Sequence, residues 1–418
     1  MKIFFRRIHL YLSLAAGLAI LIACLTGAIL VFEKDLQMAF NKDRYYVDPA
    51  ANRLPLDSLK ALAVNAFPGH KVSGIKLYAD GERSAELQVA PAKKGEDKGK
   101  KDGAAAVSGQ KESKGTGAAS AAGKGQKGGK DVKGAGGPPP GFTVFMNPYT
   151  GAVLEKYSYR ETFWYQVMAL HRWLLGGNNS VGKLIMGVST FIFLFILITG
   201  IILWWPKTQK ILVQRLRIKN NAGWKRLNHD LHIVLGFYSS IFLLIFAFTA
   251  LAWSFEWFNK GIYTVTKSPM KAPEPPKSVA ADGAATITFD QALAAAKTVY
   301  PTAAFYNLSA PKDTADAFSV SALSLDPAHE GATDAVYIDQ YSGSVLGGLA
   351  FADRNLGART RSFFKPVHTG SLWGTPSKII AFIVCLLGTS FPITGIIMWW
   401  NRTRKKAPVK RRAAEMVG

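Results

Sequence analysis

The chain has little with which to hold a small fold together covalently. Its 418 residues include two cysteines, Cys24 and Cys385, and each sits inside an apolar run. Lone cysteines placed in this way give no disulfide framework and no metal-ligand spacing. Acidic residues are also scarce: 28 Asp and Glu stand against 51 Lys and Arg, a formal net charge of +23. No G-x-G-x-x-G follows a strand-like run, so the dinucleotide fingerprint is missing. The short basic segments between the apolar runs leave no room for a flavin domain. Ionisable residues are few in the middle of those runs, which argues against a transporter built around a polar midplane site.

What the chain does have is apolar length. Its mean hydropathy is +0.10. Four stretches approach the roughly 20 residues that cross a bilayer as helix: Ile8–Phe32, Val181–Trp205, Leu231–Phe255 and Ser377–Trp400. The first follows a basic start (Lys2, Arg6, Arg7), but its apolar run is too long for a signal peptide and no small-residue cleavage site follows. The cations collect at particular ends of the spans. Lys207 to Arg226 lie between the second and third, and Arg402 to Arg412 follow the fourth. The positive-inside rule then places both termini and the short central loop in the cytoplasm. The two long segments face a periplasm, and the charge points to a bilayer rather than to nucleic acid.

The second and fourth spans read as copies. HRWLLGGNNSVGKLIMGVSTFIFLFILITGIILWW starts at His171, and HTGSLWGTPSKIIAFIVCLLGTSFPITGIIMWW starts at His368. Lys183 matches Lys378, Thr199-Gly200 matches Thr394-Gly395, and Trp204-Trp205 matches Trp399-Trp400. The first and third spans match without a gap: His9 with His232, Thr26 with Thr249, Phe32 with Phe255, and Glu33 with Glu256. The pattern is a tandem duplication of span, outside domain, span, with both copies running the same way. A four-helix bundle around a pseudo-twofold along the membrane normal is the expected arrangement.

The outside segments echo each other too. LPLDSLKALAVNAFPG and TFDQALAAAKTVYP have helical patterns, and each is followed by alternating strand-like runs. Each segment closes on a hairpin whose turn carries Tyr149-Thr150-Gly151 or Tyr341-Ser342-Gly343, with Gly in the left-handed position. One helix against a small antiparallel sheet, made twice, is the reading. A Lys/Gly/Ala-rich tract at 91–140 interrupts the first, too poor in large apolar residues to fold. The fold class is therefore a membrane all-α four-helix bundle with two α+β extracytoplasmic domains. The divisions are a span at 1–32, an outside domain at 33–165, a span with an amphipathic lead-in at 166–205 and a loop at 206–228. A span at 229–256, an outside domain at 257–365, a span at 366–400 and a basic tail at 401–418 complete the chain.

The paired spans, with a histidine near the start and ITGIIxWW at the end, resemble the PepSY-associated transmembrane-helix family. The helix-plus-hairpin segments with YTG and YSG turns are similar to PepSY domains. The resemblance covers nearly the whole chain outside the Lys/Gly-rich tract. It implies an inner-membrane protein of the kind that includes iron-regulated proteins and ferric-siderophore reductases carrying two haems b.

Seven histidines are present, five of them at or near span ends. Haem iron takes axial imidazole, and two histidines from facing helices make an electron-transferring centre. His9 and His232 form the expected inner pair. His229, one turn before His232, is the alternative ligand or a propionate partner. His171 and His368 form the expected outer pair, and Arg7 and Arg172 are candidate propionate partners. The segment FWYQVMALHRWLL is expected to lie at the outer interface, with a break at Gly-Gly-Asn-Asn 176–179 and a shallow outer haem. His70 and His329 read as surface residues, Glu33 and Glu256 as outer polar groups, and the tryptophan pairs as interfacial anchors.

The function expected from the resemblance is di-haem b electron transfer to a ferric complex, siderophore-bound or other, in the periplasm of a bacterial inner membrane. The protein would then be an oxidoreductase with no catalytic side chain of its own, fed by a quinol or a cytoplasmic reductase. The alternative is a membrane-tethered PepSY regulator or binding protein without catalysis.

Overall fold

The computed structural model describes residues 2–92, 141–219, 221–279 and 284–404. Residues 93–140 of the Lys/Gly-rich insertion and the tail from residue 405 lie outside the described residues. In chain order the helices are α1 (Lys2–Val31), α2 (Glu33–Phe40), α3 (Lys42–Tyr45), α4 (Leu56–Ala66), α5 (Phe163–Trp173), α6 (Val181–Trp204) and α7 (Gln209–Arg215). They continue with α8 (Trp224–Asp230), α9 (Gly236–Ser254), α10 (Glu256–Val265), α11 (Phe289–Val299), α12 (Leu356–Thr369) and α13 (Thr375–Thr403). A single π-helical turn, Leu231–Leu235, joins α8 to α9.

Among the described residues four helices are long and apolar enough to cross a membrane: α1, α6, the continuous Trp224–Ser254 rod, and α13. Their outward faces are apolar, with Leu18, Leu184, Ile241 and Ile383 all exposed. That is how a helix meets lipid rather than water. They form a ring in which α1 packs on α6 and α13, and α9 packs on the same two. The seam between them buries Ala16, Ile20, Cys24, Ile196, Leu197, Leu243 and Val384. Small residues at the crossings permit close approach. A Cβ at Gly388 of α13 would lie 2.7 Å from Cys24 Sγ of α1.

Beyond the bundle, eight strands form one antiparallel sheet. They are β1 (His70–Tyr78), β2 (Ala85–Pro91), β3 (Phe142–Met146), β4 (Val153–Tyr157), β5 (Phe305–Ser309), β6 (Phe318–Leu323), β7 (Thr333–Ile338) and β8 (Val345–Leu349). Their order is β4-β3-β2-β1-β5-β6-β7-β8. The expected Gly-bearing hairpins are present, with Gly151 at φ +74° and Gly343 at φ +73°. The expectation of two separate sheets is corrected. β1 pairs antiparallel with β5 from Gly74↔Ser309 to Tyr78↔Phe305, so the two meanders share an edge. Such pairing removes two exposed strand edges at once.

The core confirms the merger. α4 and α11 lie on the same face, and Leu59, Ile75, Leu87 and Val144 share one buried cluster with Phe289, Leu308, Val320 and Ile338. The two helix N-termini cap each other. Asp290 accepts from Leu56 N at 2.8 Å and Asp57 N at 3.0 Å, and Asp57 accepts from Asp290 N at 3.1 Å. A carboxylate at a helix start satisfies orphan N–H groups and complements the helix dipole. The soluble part is therefore one α+β unit seated at one end of the helix bundle.

Candidate cofactor site

The four span-end histidines form two pairs, one at each end of the bundle. His9 of α1 faces His232 of the π turn, with ring centroids 6.5 Å apart. His171 of α5 faces His368 of α12 at 6.2 Å. The first pair lies toward the basic ends of the spans and the second toward the sheet. On α1, His9 and Ala23, which contacts His171, are fourteen residues apart, roughly 21 Å at 1.5 Å per residue.

Each ring is held by a threonine of a neighbouring span. His9 Nδ1 lies 3.1 Å from Thr199 Oγ1 and 3.0 Å from Ile196 O on α6. His171 Nδ1 lies 2.9 Å from Thr26 Oγ1 and 3.0 Å from Ala23 O on α1. His368 Nδ1 lies 3.1 Å from Thr249 Oγ1 and 3.0 Å from Phe246 O on α9. His232 Nδ1 lies 2.8 Å from Thr394 Oγ1 on α13. Each threonine hydroxyl donates to a carbonyl one turn back in its own helix, as Thr199 does to Phe195 O at 2.7 Å. Its free lone pair then accepts from the imidazole N–H. The tautomer is fixed with the proton on Nδ1, and Nε2 is left as a lone-pair donor. No hydrogen bond engages any of the four Nε2 atoms among the described residues.

The glycine after three of these threonines makes the seat. A Cβ at Gly200, Gly395 or Gly27 would stand 3.4, 3.4 or 3.5 Å from Cε1 of His9, His232 or His171. The Thr-Gly pairs matched in the sequence are thus histidine seats, a role that sequence reading did not assign to them. The available signal was a threonine recurring in each span, at the same offset from His9 to Thr26 as from His232 to Thr249.

The π turn sorts His232 from His229. Widening the helix at Leu231–Leu235 turns His232 onto Thr394, and π turns of this kind recur at functional sites. His229 keeps 48% of its side chain exposed, with Nδ1 3.3 Å from Asp230 Oδ1. Both lie on a cavity of about 540 Å³ that also takes in His9. Its mouth carries Lys2, Arg6, Arg215 and Arg402. Arg7 is exposed and is not part of this lining. Arg6 takes its place, being three residues before His9 and so on its face of the helix. Trp204 and Trp399 also line the cavity, while Trp205 is 65% exposed. The tryptophan pairs are therefore divided, one ring inward and one outward. Trp204 stacks on Phe237 at 3.5 Å, and its buried Nε1 has no hydrogen-bond partner.

At the sheet end, α5 carries His171 in its last turn. It packs on α1 and α6. The chain breaks at Leu174 and Leu175, both in the left-handed region (φ 49° and 66°), just ahead of the glycines. His171 bonds to Ala23 and Thr26, eight and five residues inside the end of α1, so this pair sits roughly 8–12 Å below the helix end. Arg172 is half-buried with its guanidinium 4.8 Å from the Trp173 ring. Arg361, two turns before His368, lies 4.6 Å from the Trp253 ring, and Trp253 is 5.5 Å from His368.

Other residues read at the sequence level resolve differently. Glu256 is exposed and pairs with Lys260 at 2.7 Å. Glu33 is half-buried, and burial holds its carboxyl above the usual range despite Tyr159 and Lys34. His329 is buried at 6% exposure and not at the surface. Its Nε2 lies 3.0 Å from Ser362 Oγ of α12, and its ring packs on Phe351 and Phe363. His70 is half-buried against Phe142.

The donor set suits a ligand that brings its own coordination plane. Among the described residues no cluster of three or more His, Cys, Asp or Glu could hold a bare metal ion. A metal–imidazole bond of roughly 2 Å, with the nitrogen about 1 Å from the ring centre, puts two opposed imidazole centroids about 6 Å apart. Both pairs have that spacing. The cavity at the basic end adds apolar walls, a cationic mouth and an unpaired indole N–H, which fit a flat apolar macrocycle with acidic substituents. A family model described as the PepSY-associated TM region matches residues 6–402. No curated protein matches the chain.

Proposed function

The chain belongs to the PepSY-associated TM region family, and from that premise we propose that it is a di-haem b electron-transfer protein that reduces a ferric complex outside the membrane. The observation that carries this reading is the double pairing of histidines, each with Nδ1 tied to a threonine and Nε2 free. His9 and His232 would hold one haem, and His171 and His368 the other. Haem bound at these pairs would supply one-electron transfer.

The side chains divide the remaining work. The threonines orient the rings and raise their basicity through Nδ1. Arg6, Arg215 and Arg402, with His229 beside them, are placed to pair with propionates at the basic end. Arg172 and Arg361 have the corresponding place at the sheet end. Phe193, Phe391 and Ile20 give the cavity its dry walls. The chain contributes two binding levels about 21 Å apart along α1, one per membrane face.

Orientation follows from charge. Lys2, Arg6, Arg215, Arg217 and Arg402 cluster at one end, which the positive-inside rule assigns to the cytoplasm of a bacterial inner membrane. The sheet is then periplasmic. The two half-chains arise by tandem duplication of span, outer segment and span, and their outer segments have since joined edges. Reduction of ferric to ferrous iron weakens its binding by hard oxygen ligands and releases it from a siderophore or similar chelate. The donor is a quinol or a separate cytoplasmic reductase.

The deciding test is a dithionite-reduced minus oxidised visible spectrum with a pyridine haemochrome assay. Sharp b-type bands at about two haems per chain are expected, with reoxidation by a ferric chelate. Protein purified from haem-sufficient cells without cofactor would sink the proposal and leave a membrane-tethered binding protein.

A further inference from the structure

The sheet has a second face, away from α4 and α11. Residues two apart along β1 share it, so Lys76 and Tyr78 lie on it together. Directly opposite Lys76 stand Glu86 on β2 and Asn307 on β5, and Phe305 stands opposite Tyr78. This face lies toward the helix bundle. α2 begins two residues after α1 ends, and α3 packs beneath β3 and β4. The charged neighbours of Lys76 include Lys34 of α2 and Glu330. Glu330 in turn accepts from Ser371 at 3.1 Å, three residues beyond His368.

Two cations on this face make no contact ion pair among the described residues, although Glu86 and Glu330 act on Lys76 through space. Lys76 Nζ lies 4.6 Å from the Tyr78 ring and 4.3 Å from Phe305. The Arg83 guanidinium lies 4.2 Å from the same Tyr78 ring. Neither makes a side-chain hydrogen bond or ion pair among the described residues, and Arg83 Nε is buried without an acceptor. The nearby carboxylates are engaged elsewhere. Glu86 accepts from Tyr78 Oη at 2.5 Å, and Glu330 pairs with Lys34 at 2.9 Å. Burial works against protonation of Lys76, the Glu86 charge partly offsets it, and the Lys34 and Arg83 charges add to it.

A structural ion pair would turn Glu86 onto Lys76 across the strand. Here it is turned to Tyr78 instead, and two like charges flank one aromatic ring. Aromatic faces position cations but do not neutralise them. Half-buried donors without acceptors are rare enough in native proteins to call for an explanation. A guanidinium fork beside an ammonium is the donor set that carboxylate oxygens fit.

We propose that Lys76 and Arg83 form an oxyanion site on the bundle-facing side of the sheet, and that its ligand is the carboxylate edge of a ferric chelate. The iron in that statement rests on the function proposed above; the oxyanion site does not. It would hold an anionic chelate on the side of the sheet that looks toward His171 and His368.

The test is calorimetric titration of the full chain, in phosphatidylcholine nanodiscs, with gallium(III) citrate. Gallium mimics ferric iron but does not accept an electron, so binding is read independently of haem or reductant. Wild-type protein is expected to bind. Lys76→Met and Arg83→Gln should each weaken binding about tenfold or more, and Lys76→Arg should largely preserve it. Equal binding by all four proteins, or no binding by wild type, would overturn the site. Abolition of binding when phosphatidylglycerol replaces phosphatidylcholine would assign the cations to a lipid phosphate and overturn the chelate. The reduced-minus-oxidised spectrum of the same samples reports separately on the electron-transfer reading.

Discussion

The imidazole planes of His9 and His232 cross at 84°, whereas those of His171 and His368 meet at 59°. Near-perpendicular axial imidazoles leave the iron d orbitals close to degenerate and make the ferric signal strongly anisotropic. Oxidised protein should therefore give two distinct low-spin electron paramagnetic resonance signals in equal amounts. His9→Ala should remove the more anisotropic one and His368→Ala the other. A single signal, or loss of the same signal from both variants, would refute the assignment of the pairs.

His232 differs from the other three in having one partner for Nδ1. Thr394 Oγ1 is its only acceptor among the described residues, while His9 also has Ile196 O. Thr394→Val leaves a buried N–H unpaired, a cost of about 1–3 kcal/mol. Haem affinity at the basic end should fall about 10–100-fold. The haem that remains should have a raised midpoint potential, because a less basic imidazole stabilises ferric iron less. Thr199→Val should have a clearly smaller effect, and Thr394→Ser should restore wild-type behaviour. Haem titration and potentiometry check both points. Equal losses from the two valine variants would mean that the threonines pack rather than position.

The bundle and the histidine levels were legible because their signals are long or repeated. An apolar run of some 20 residues has few alternatives, and equal offsets from His9 to Thr26 and from His232 to Thr249 place equivalent residues at equivalent heights. The β1–β5 join was not legible, since an unpaired edge carries no compositional mark of its partner. Nearness in sequence points to Arg7, whereas helical phase favours Arg6, three residues before His9. His329 looks solvated within DPAHEG, because a loop segment gives no periodicity from which burial can be read. Only the folded chain brings it onto Ser362.

That buried histidine makes a pH prediction. Burial holds the His329 imidazole below its usual range, and the nearby Glu330 only partly offsets this. An unfolded imidazole titrates near 6.5. Below that pH the unfolded chain takes up a proton that the folded chain resists, so stability falls as pH drops from about 6.5 through the lowered folded value. Above about pH 7.5 this contribution is flat. Thermal melts of wild type and His329→Gln between pH 8 and 5 should diverge only on the acid side, with wild type losing more. Parallel curves would place the acid sensitivity elsewhere, for example in carboxylates such as Glu330.

Gly182 tests whether the placement of α5 governs the sheet-end site. A Cβ there would lie 2.0 Å from Trp173 O and 2.9 Å from Trp173 C. Both contacts are to backbone, so no rotamer change relieves them, and Gly182→Ala must lift the C-terminal turn of α5 from α6. That turn carries His171. The expected result is a fall from about two haems per chain to one, with the more anisotropic resonance signal retained. Gly261→Ala in α10, where a Cβ meets nothing within 4 Å, should keep both haems. If Gly182→Ala also kept both, the contact between Trp173 and Gly182 would not be what seats His171. The hydrogen bonds to Ala23 and Thr26 would then be sufficient by themselves.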